Sequence, residues 1–124
     1  MKYYGITDKA LLEVTKQAYF ASEIDNGNSG AAKTIDWTAG NKQVITLTGS
    51  PDCTLTFTAP SGPCNIVLRL VQGAGGSKTA TWPGTVLWIG RTIPTLTTTA
   101  AYVDIASFYY NGTNYYGVLS TNFG

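Results

Sequence analysis

The chain has 124 residues, of which 12% are charged and 44% hydrophobic, and eight Lys and Arg against seven Asp and Glu leave a formal charge of +1. That is one domain's worth of chain with enough apolar residues for its own core, which excludes a disordered protein. No basic run is present to displace counterions from a phosphate backbone, so nucleic acid is not an expected partner, and the lack of any histidine removes the side chain most used as general base and metal ligand near neutrality.

The first residues, Met1-Lys-Tyr-Tyr-Gly-Ile-Thr-Asp8, lack the apolar core of a signal peptide, and no apolar run reaches the roughly 18 residues that span a bilayer. A soluble protein without a membrane partner is expected. From Asp8 to Phe20, Leu11, Val14 and Ala18 recur with Leu12 and Tyr19 at helical spacing, and Thr7 or Asp8 can serve as N-cap. This predicts a helix of about three turns, with a strand over Val14 to Phe20 as the alternative. Seven charged residues, including both glutamates, fall in the first 25, so residues 1–25 read as an N-terminal arm.

Asp25-Asn-Gly-Asn-Ser-Gly30 is a loop signal, after which the pattern alternates. Residues 26–124 read as a β domain. Strands are predicted at Lys33 to Trp37, Gln43 to Thr48, Thr54 to Thr58, Asn65 to Gln72, Lys78 to Trp82, Val86 to Ile89, Leu96 to Thr99, Tyr102 to Tyr110 and Asn114 to Ser120, separated by Gly, Pro, Asn and Ser. Many short strands and no helical window among them predict an all-β fold, an antiparallel β-sandwich of jelly-roll type with a short helical or extended N-terminal arm. In Asn65 to Gln72, Ile66, Leu68 and Leu70 face one side and Val67, Arg69 and Val71 the other. A strand apolar on both sides is central, or its outer face meets another subunit.

Cys53 and Cys64 are the only cysteines. If Thr54 to Thr58 and Asn65 to Leu70 form a hairpin through Ala59-Pro-Ser-Gly-Pro63, the two lie on the order of 16 Å apart along the strands, too far for a bridge, so two buried free thiols are expected. No GxSxG or SxxK arrangement is present. The carboxylates of the β region, Asp36, Asp52 and Asp104, are explained as single polar residues at turns or strand edges, and neither a catalytic set nor a metal or cofactor site is expected. Gly73-Ala-Gly-Gly-Ser77 lacks the Lys-Ser/Thr of a phosphate-binding loop and reads as a turn. Asn111-Gly-Thr113 reads as the turn of a hairpin carrying Tyr109, Tyr110, Tyr115 and Tyr116. Those tyrosines are read first as cross-strand packing and second as contacts for a glycan, and Trp37, Trp82 and Trp88 as core or interface anchors.

From Gly27 to Phe123 the chain resembles a module found at the ends of tail-fibre, tailspike and other surface proteins of tailed bacteriophages. The matching pieces are Asn28-Ser-Gly-Ala-Ala-Lys-Thr-Ile-Asp-Trp37, Gly40-Asn-Lys-Gln43, Ile45-Thr-Leu-Thr48, Thr54-Leu-Thr-Phe-Thr-Ala-Pro60, Ala80-Thr-Trp-Pro83, Pro94-Thr-Leu-Thr97, Val103-Asp-Ile105 and Phe108-Tyr-Tyr-Asn-Gly-Thr-Asn-Tyr-Tyr-Gly117, in this order. Trp88-Ile-Gly-Arg91 departs from the module's glycine-rich pattern. The resemblance implies a β-sandwich that trimerises on a virion surface and binds a host receptor or the shell.

With Met1 as start and about 25 residues before the β region, no fibre shaft is expected. The expectation is therefore a homotrimeric capsid decoration, or cement, protein on the outer surface of a phage head, assembled in the host bacterial cytoplasm. Its partners would be its own copies and the major capsid protein. Tyr3, Tyr4, Ile6, Leu11, Leu12 and Val14 are the candidate shell or inter-subunit contacts. The alternative is a receptor- or glycan-binding fibre tip that uses Tyr109, Tyr110, Tyr115 and Tyr116.

Overall fold

The structure, a computed structural model, describes residues 13–124. Nine strands follow one another: β1 (Ile24–Asn28), β2 (Ala32–Asp36), β3 (Lys42–Leu47), β4 (Asp52–Thr58), β5 (Cys64–Gln72), β6 (Thr79–Thr81), β7 (Val86–Trp88), β8 (Val103–Tyr110) and β9 (Tyr115–Phe123). A single 3-10 turn, Ile89–Arg91, interrupts them. The protein is all-β over the described residues, but its strands do not run as an antiparallel jelly roll. They build a six-stranded sheet in the order β1-β3-β5-β8-β9-β7 and a three-stranded sheet in the order β2-β4-β6.

The first six strands alternate between the sheets, and their same-sheet neighbours are parallel: β1 with β3, β3 with β5, β2 with β4, β4 with β6. The path is that of a flattened solenoid. Turn residues signal that the chain reverses, and do not say whether it returns to the same sheet or crosses to the facing one; here each turn crosses. Stacked corners fix that choice. On one side Thr48 N donates to Ser29 Oγ at 2.9 Å, Gly30 N to Thr48 Oγ1 at 3.0 Å and Gly73 N to the Leu47 carbonyl at 3.0 Å. On the other, Trp37 N reaches the Thr58 carbonyl and Asn41 Nδ2 the Asn65 carbonyl. A Cβ at Gly73 would strike the Leu47 carbonyl oxygen, so the corner stack requires glycine there.

After β6 the path changes. The antiparallel hairpin β8–β9 adds to β5, and β7 pairs in parallel with β9 as the far edge. Alternation places Ile45, Leu47, Ile66, Leu68, Leu70 and Ala106 of the large sheet against Ile35, Cys53 and Leu55 of the small one, all buried. Each such side chain contributes about 1.5–3 kcal/mol on burial. One end of this core is aromatic. Phe108 makes ring contacts at 5.7–6.3 Å with Trp37, Phe57, Trp82, Trp88 and Tyr115. Gly117 leaves room for it, since a Cβ there would come within 3.1 Å of both the Trp88 and Phe108 rings.

Several sequence expectations need correction. Thr54 to Thr58 and Asn65 to Leu70 are not a hairpin, because β4 and β5 lie in different sheets. The predicted loop at Asp25 to Gly30 overlaps β1, which begins at Ile24; its pairing is tertiary, with Asn26 Nδ2 donating to Gln43 Oε1 and the Val44 carbonyl. Leu96 to Thr99 forms no strand, and is held instead by the Asp104 carboxylate on Thr97 N and by Ser77 N on the Thr98 carbonyl. Within the predicted helix, residues 13–20 are irregular, and each is at least partly open to solvent, Val14 at 50% and Phe20 at 54%. A helix this short is marginal in water without a packed face, and these residues have none; the predicted start of the helix lies outside the described residues.

Candidate interaction surface

The two sheets present opposite outer faces. The small sheet shows Thr34 beside Thr56, Thr54 beside Thr81 and Asp36 beside Thr58, all exposed. Such a polar face is suited to water. Asp36 Oδ1 accepts from the Thr38 amide and hydroxyl, and both Asp52 oxygens accept from the Thr79 and Thr81 hydroxyls. The third carboxylate, Asp104, is buried and accepts from Thr97 N at 2.7 Å and Asn122 N at 3.0 Å. Asp36 therefore fastens its own turn, Asp52 ties the start of β4 to β6, and Asp104 ties β8 to the Leu96–Thr99 segment and to β9.

The large sheet's outer face mixes apolar side chains, densest toward β7 and β9, with Asn65, Ser107, Ser120, Lys42 and Arg69. Register sets Leu87, Tyr116, Tyr109 and Asn65 in one cross-strand row, and Val118, Ser107, Val67 and Lys42 in the next; a third holds Ser120, Ile105, Arg69 and Val44. Val67, Arg69 and Val71 lie on this side and Ile66, Leu68 and Leu70 on the core side, as the alternation predicts. Beyond the edge strand β7 the apolar surface continues through Ile89 and Ile93, 77% and 62% exposed. Neighbouring grooves join these side chains: one is lined by Leu87, Ile89, Tyr116 and Val118, another by Leu87, Arg91 and Ile93. In the sequence Ile89 reads as the end of a strand and Ile93 as part of the following break; β7 ends at Trp88, and the 3-10 turn that follows, with Gly90 at φ 64°, takes Ile89 out of the ladder.

The hairpin divides its four tyrosines. Tyr109 and Tyr116 stack on the outer face, centroids 6.3 Å apart and planes at 26°, each about half exposed. Tyr110 and Tyr115 point inward and are buried, 4.6 Å apart. A four-ring platform for a glycan is thereby corrected to two rings. Burial pushes the Tyr115 phenol up to about 12, aided by Tyr110 and Cys64 nearby. The turn is the expected one, with Asn111 Oδ1 accepting from Thr113 N and Asn114 N. Trp37 and Trp82 are buried and Trp88 half-buried within the aromatic core, not displayed as platforms.

Across the same outer face lies the end of the N-terminal segment. Lys42 Nζ stands 5.9 Å from the centroid of the Phe20 ring, and a groove lined by Ala18, Tyr19, Phe20, Glu23 and Lys42 forms beside it. Glu23 meets Arg69 at 2.8 and 3.0 Å, and the guanidinium holds the Glu23 carboxyl below its usual range. Of the candidate shell contacts, Val14 is exposed; Tyr3, Tyr4, Ile6, Leu11 and Leu12 lie outside the described residues.

Both thiols are free, but they differ. Cys53 is buried, and desolvation raises its thiol; Cys64 is only half-buried, which corrects the expectation of two buried thiols. Among the described residues no group of three or more Cys, Asp or Glu is placed to hold a metal ion. Comparison with protein-family models, with curated proteins and with solved structures finds no match to this chain.

Proposed function

We propose that the chain is a structural virion protein, a homotrimeric decoration protein on the outer surface of a tailed-phage head. The observation that supports this reading is the contrast between the two sheets: one outer face is a threonine-rich surface made for water, the other carries the exposed Leu87, Tyr109, Tyr116 and Val118 side by side toward its β7 edge. Patches of this kind mark interaction sites. Weak overall charge suits repeated contacts between identical subunits and with a symmetric shell, where multivalency supplies affinity.

The test is co-sedimentation with shells assembled from a tailed-phage major capsid protein. The full chain is expected to co-sediment and to have three times the 13.2 kDa monomer mass in solution. Deleting residues 1–12, which hold five of the six candidate shell contacts, should abolish sedimentation and leave the protein at three times its own, shorter, monomer mass. The stacked, half-exposed Tyr109–Tyr116 pair supports the second reading, a glycan-binding fibre tip. In that case Tyr116→Ala lowers binding to host cells, the deletion does not, and no shell binding is seen.

A further inference from the structure

The dipeptide Asn-Gly occurs twice in the chain, at Asn26-Gly27 and at Asn111-Gly112. In such a pair the glycine amide nitrogen can attack the asparagine side-chain carbonyl, because no Cβ on the glycine hinders its approach. The fold treats the two copies differently.

At the first copy both the nucleophile and the leaving group are engaged. Gly27 N donates to Asp25 Oδ1 at 2.8 Å, and Asn26 Nδ2, within β1, donates to Gln43 Oε1 at 3.0 Å and to the Val44 carbonyl at 3.1 Å. Attack must give up the first bond, and departure of ammonia the other two. At the second copy Asn111, Gly112 and Thr113 are all exposed at the tip of the β8–β9 hairpin. Among the described residues Gly112 N finds no acceptor, and Asn111 Nδ2 has only the Tyr116 hydroxyl, at 3.5 Å. The atom that is held is Oδ1, which accepts from Thr113 N at 2.9 Å and from Asn114 N at 2.8 Å. This oxygen gains negative charge when the carbonyl is attacked, so two fixed N–H groups on it favour the step.

We propose that Asn111 is a modification site, the place where the folded chain hydrolyses its own side-chain amide, while Asn26 is shielded. A solvent base takes the Gly112 amide proton, the nitrogen bonds to Asn111 Cγ, and the Cγ–Nδ2 bond breaks, Nδ2 leaving as ammonia with a proton from water. Water then opens the five-membered imide at either carbonyl, giving aspartate or isoaspartate; one water is consumed and one ammonia released. The product adds an eighth acid to the seven present, against eight Lys and Arg, so the formal charge falls from +1 to zero. The new carboxylate stands beside the stacked Tyr109–Tyr116 pair of the outer face, where it can accept from the Tyr116 hydroxyl. None of this depends on the shell-binding reading.

The experiment incubates the full chain in mildly alkaline buffer, folded and in concentrated urea at the same pH, and follows both sites by tandem mass spectrometry of tryptic peptides. Trypsin places Asn26 in residues 17–33 and Asn111 in residues 92–124. In the folded protein Asn111 is expected to react at least about tenfold faster than Asn26, a difference of about 1.4 kcal/mol in barrier, the worth of a single hydrogen bond. In urea the two rates should converge, chiefly through a rise at Asn26. Equal rates in the folded protein overturn the proposal. So does an Asn111 rate that rises severalfold on unfolding, which would mean that the turn protects the amide and does not promote its loss.

Discussion

Glu23 grips Arg69 with both carboxylate oxygens, at 2.8 Å from Nη2 and 3.0 Å from Nε, and so ties the residue just before β1 to the third strand of the large sheet. The pair joins the N-terminal segment to the outer face without burying either charge, each side chain being 39% exposed. Its contribution to stability is accordingly small, and is a matter of placement more than of energy.

Replacing Glu23 by Gln should cost under about 1 kcal/mol, because solvent screens an exposed pair. The carboxyl is depressed below 4.5 in the folded protein, so its contribution is present above that value and is lost as pH falls through the lower folded value. Chemical denaturation of the two proteins should show a difference at pH 7 that fades below pH 4.5 and in about 1 M salt, where the screening length is near 3 Å. An unchanged difference at low pH would show that the pair is not its source.

Phe108 is the hub of the aromatic end of the core, and truncating it to Ala should cost about 3–5 kcal/mol. Urea unfolding followed by tryptophan fluorescence measures this directly, since Trp37, Trp82 and Trp88 all contact its ring. A loss below 1 kcal/mol, the cost of a well-collapsed site, would contradict the central position assigned to it.

Gln43 is a polar residue in an interior position. Its Nε2 donates to the Asp36 and Gly40 carbonyls at 2.8 and 2.9 Å, and its Oε1 accepts from Asn26. Gln43→Ala strands those carbonyls and should cost about 1–3 kcal/mol. Hydrogen exchange should locate the loosening in β1 and in the turn between β2 and β3; uniform loosening would point to a general packing defect.

Tyr115 is neutral and buried, with its phenol raised from 10 to about 12. A raised folded value means that its contribution is complete below the unfolded value of 10 and is lost as pH rises through about 12. Tyr115→Phe should therefore flatten the loss of stability over that alkaline window while changing little at neutrality. Thermal midpoints measured from pH 8 upward test this, and parallel curves for the two proteins would refute it.

The alternating pattern of the chain by itself determined that the described residues are all-β, and eight of their strands stand where β-branched and apolar residues alternate between turn residues. The sidedness of β5 was equally legible, because side chains two apart must share a face: Ile66, Leu68 and Leu70 inward, Val67, Arg69 and Val71 outward. So was the Asn111-Gly112 hairpin, whose turn chemistry is local. Three things were decided only by the tertiary structure. A turn signal cannot say which sheet the chain lands on, so the parallel, solenoid-like pairing of β1 to β6 emerged from corner hydrogen bonds between residues some twenty positions apart, such as Ser29 with Thr48. β1 has the composition of a loop and is a strand only because β3 is there to pair with it. The hydrophobicity of Leu87, Ile89, Tyr116 and Val118 was plain from the start, yet their gathering into one exposed surface depends on β7 pairing with β9 across the intervening chain, a long-range contact that no local pattern encodes.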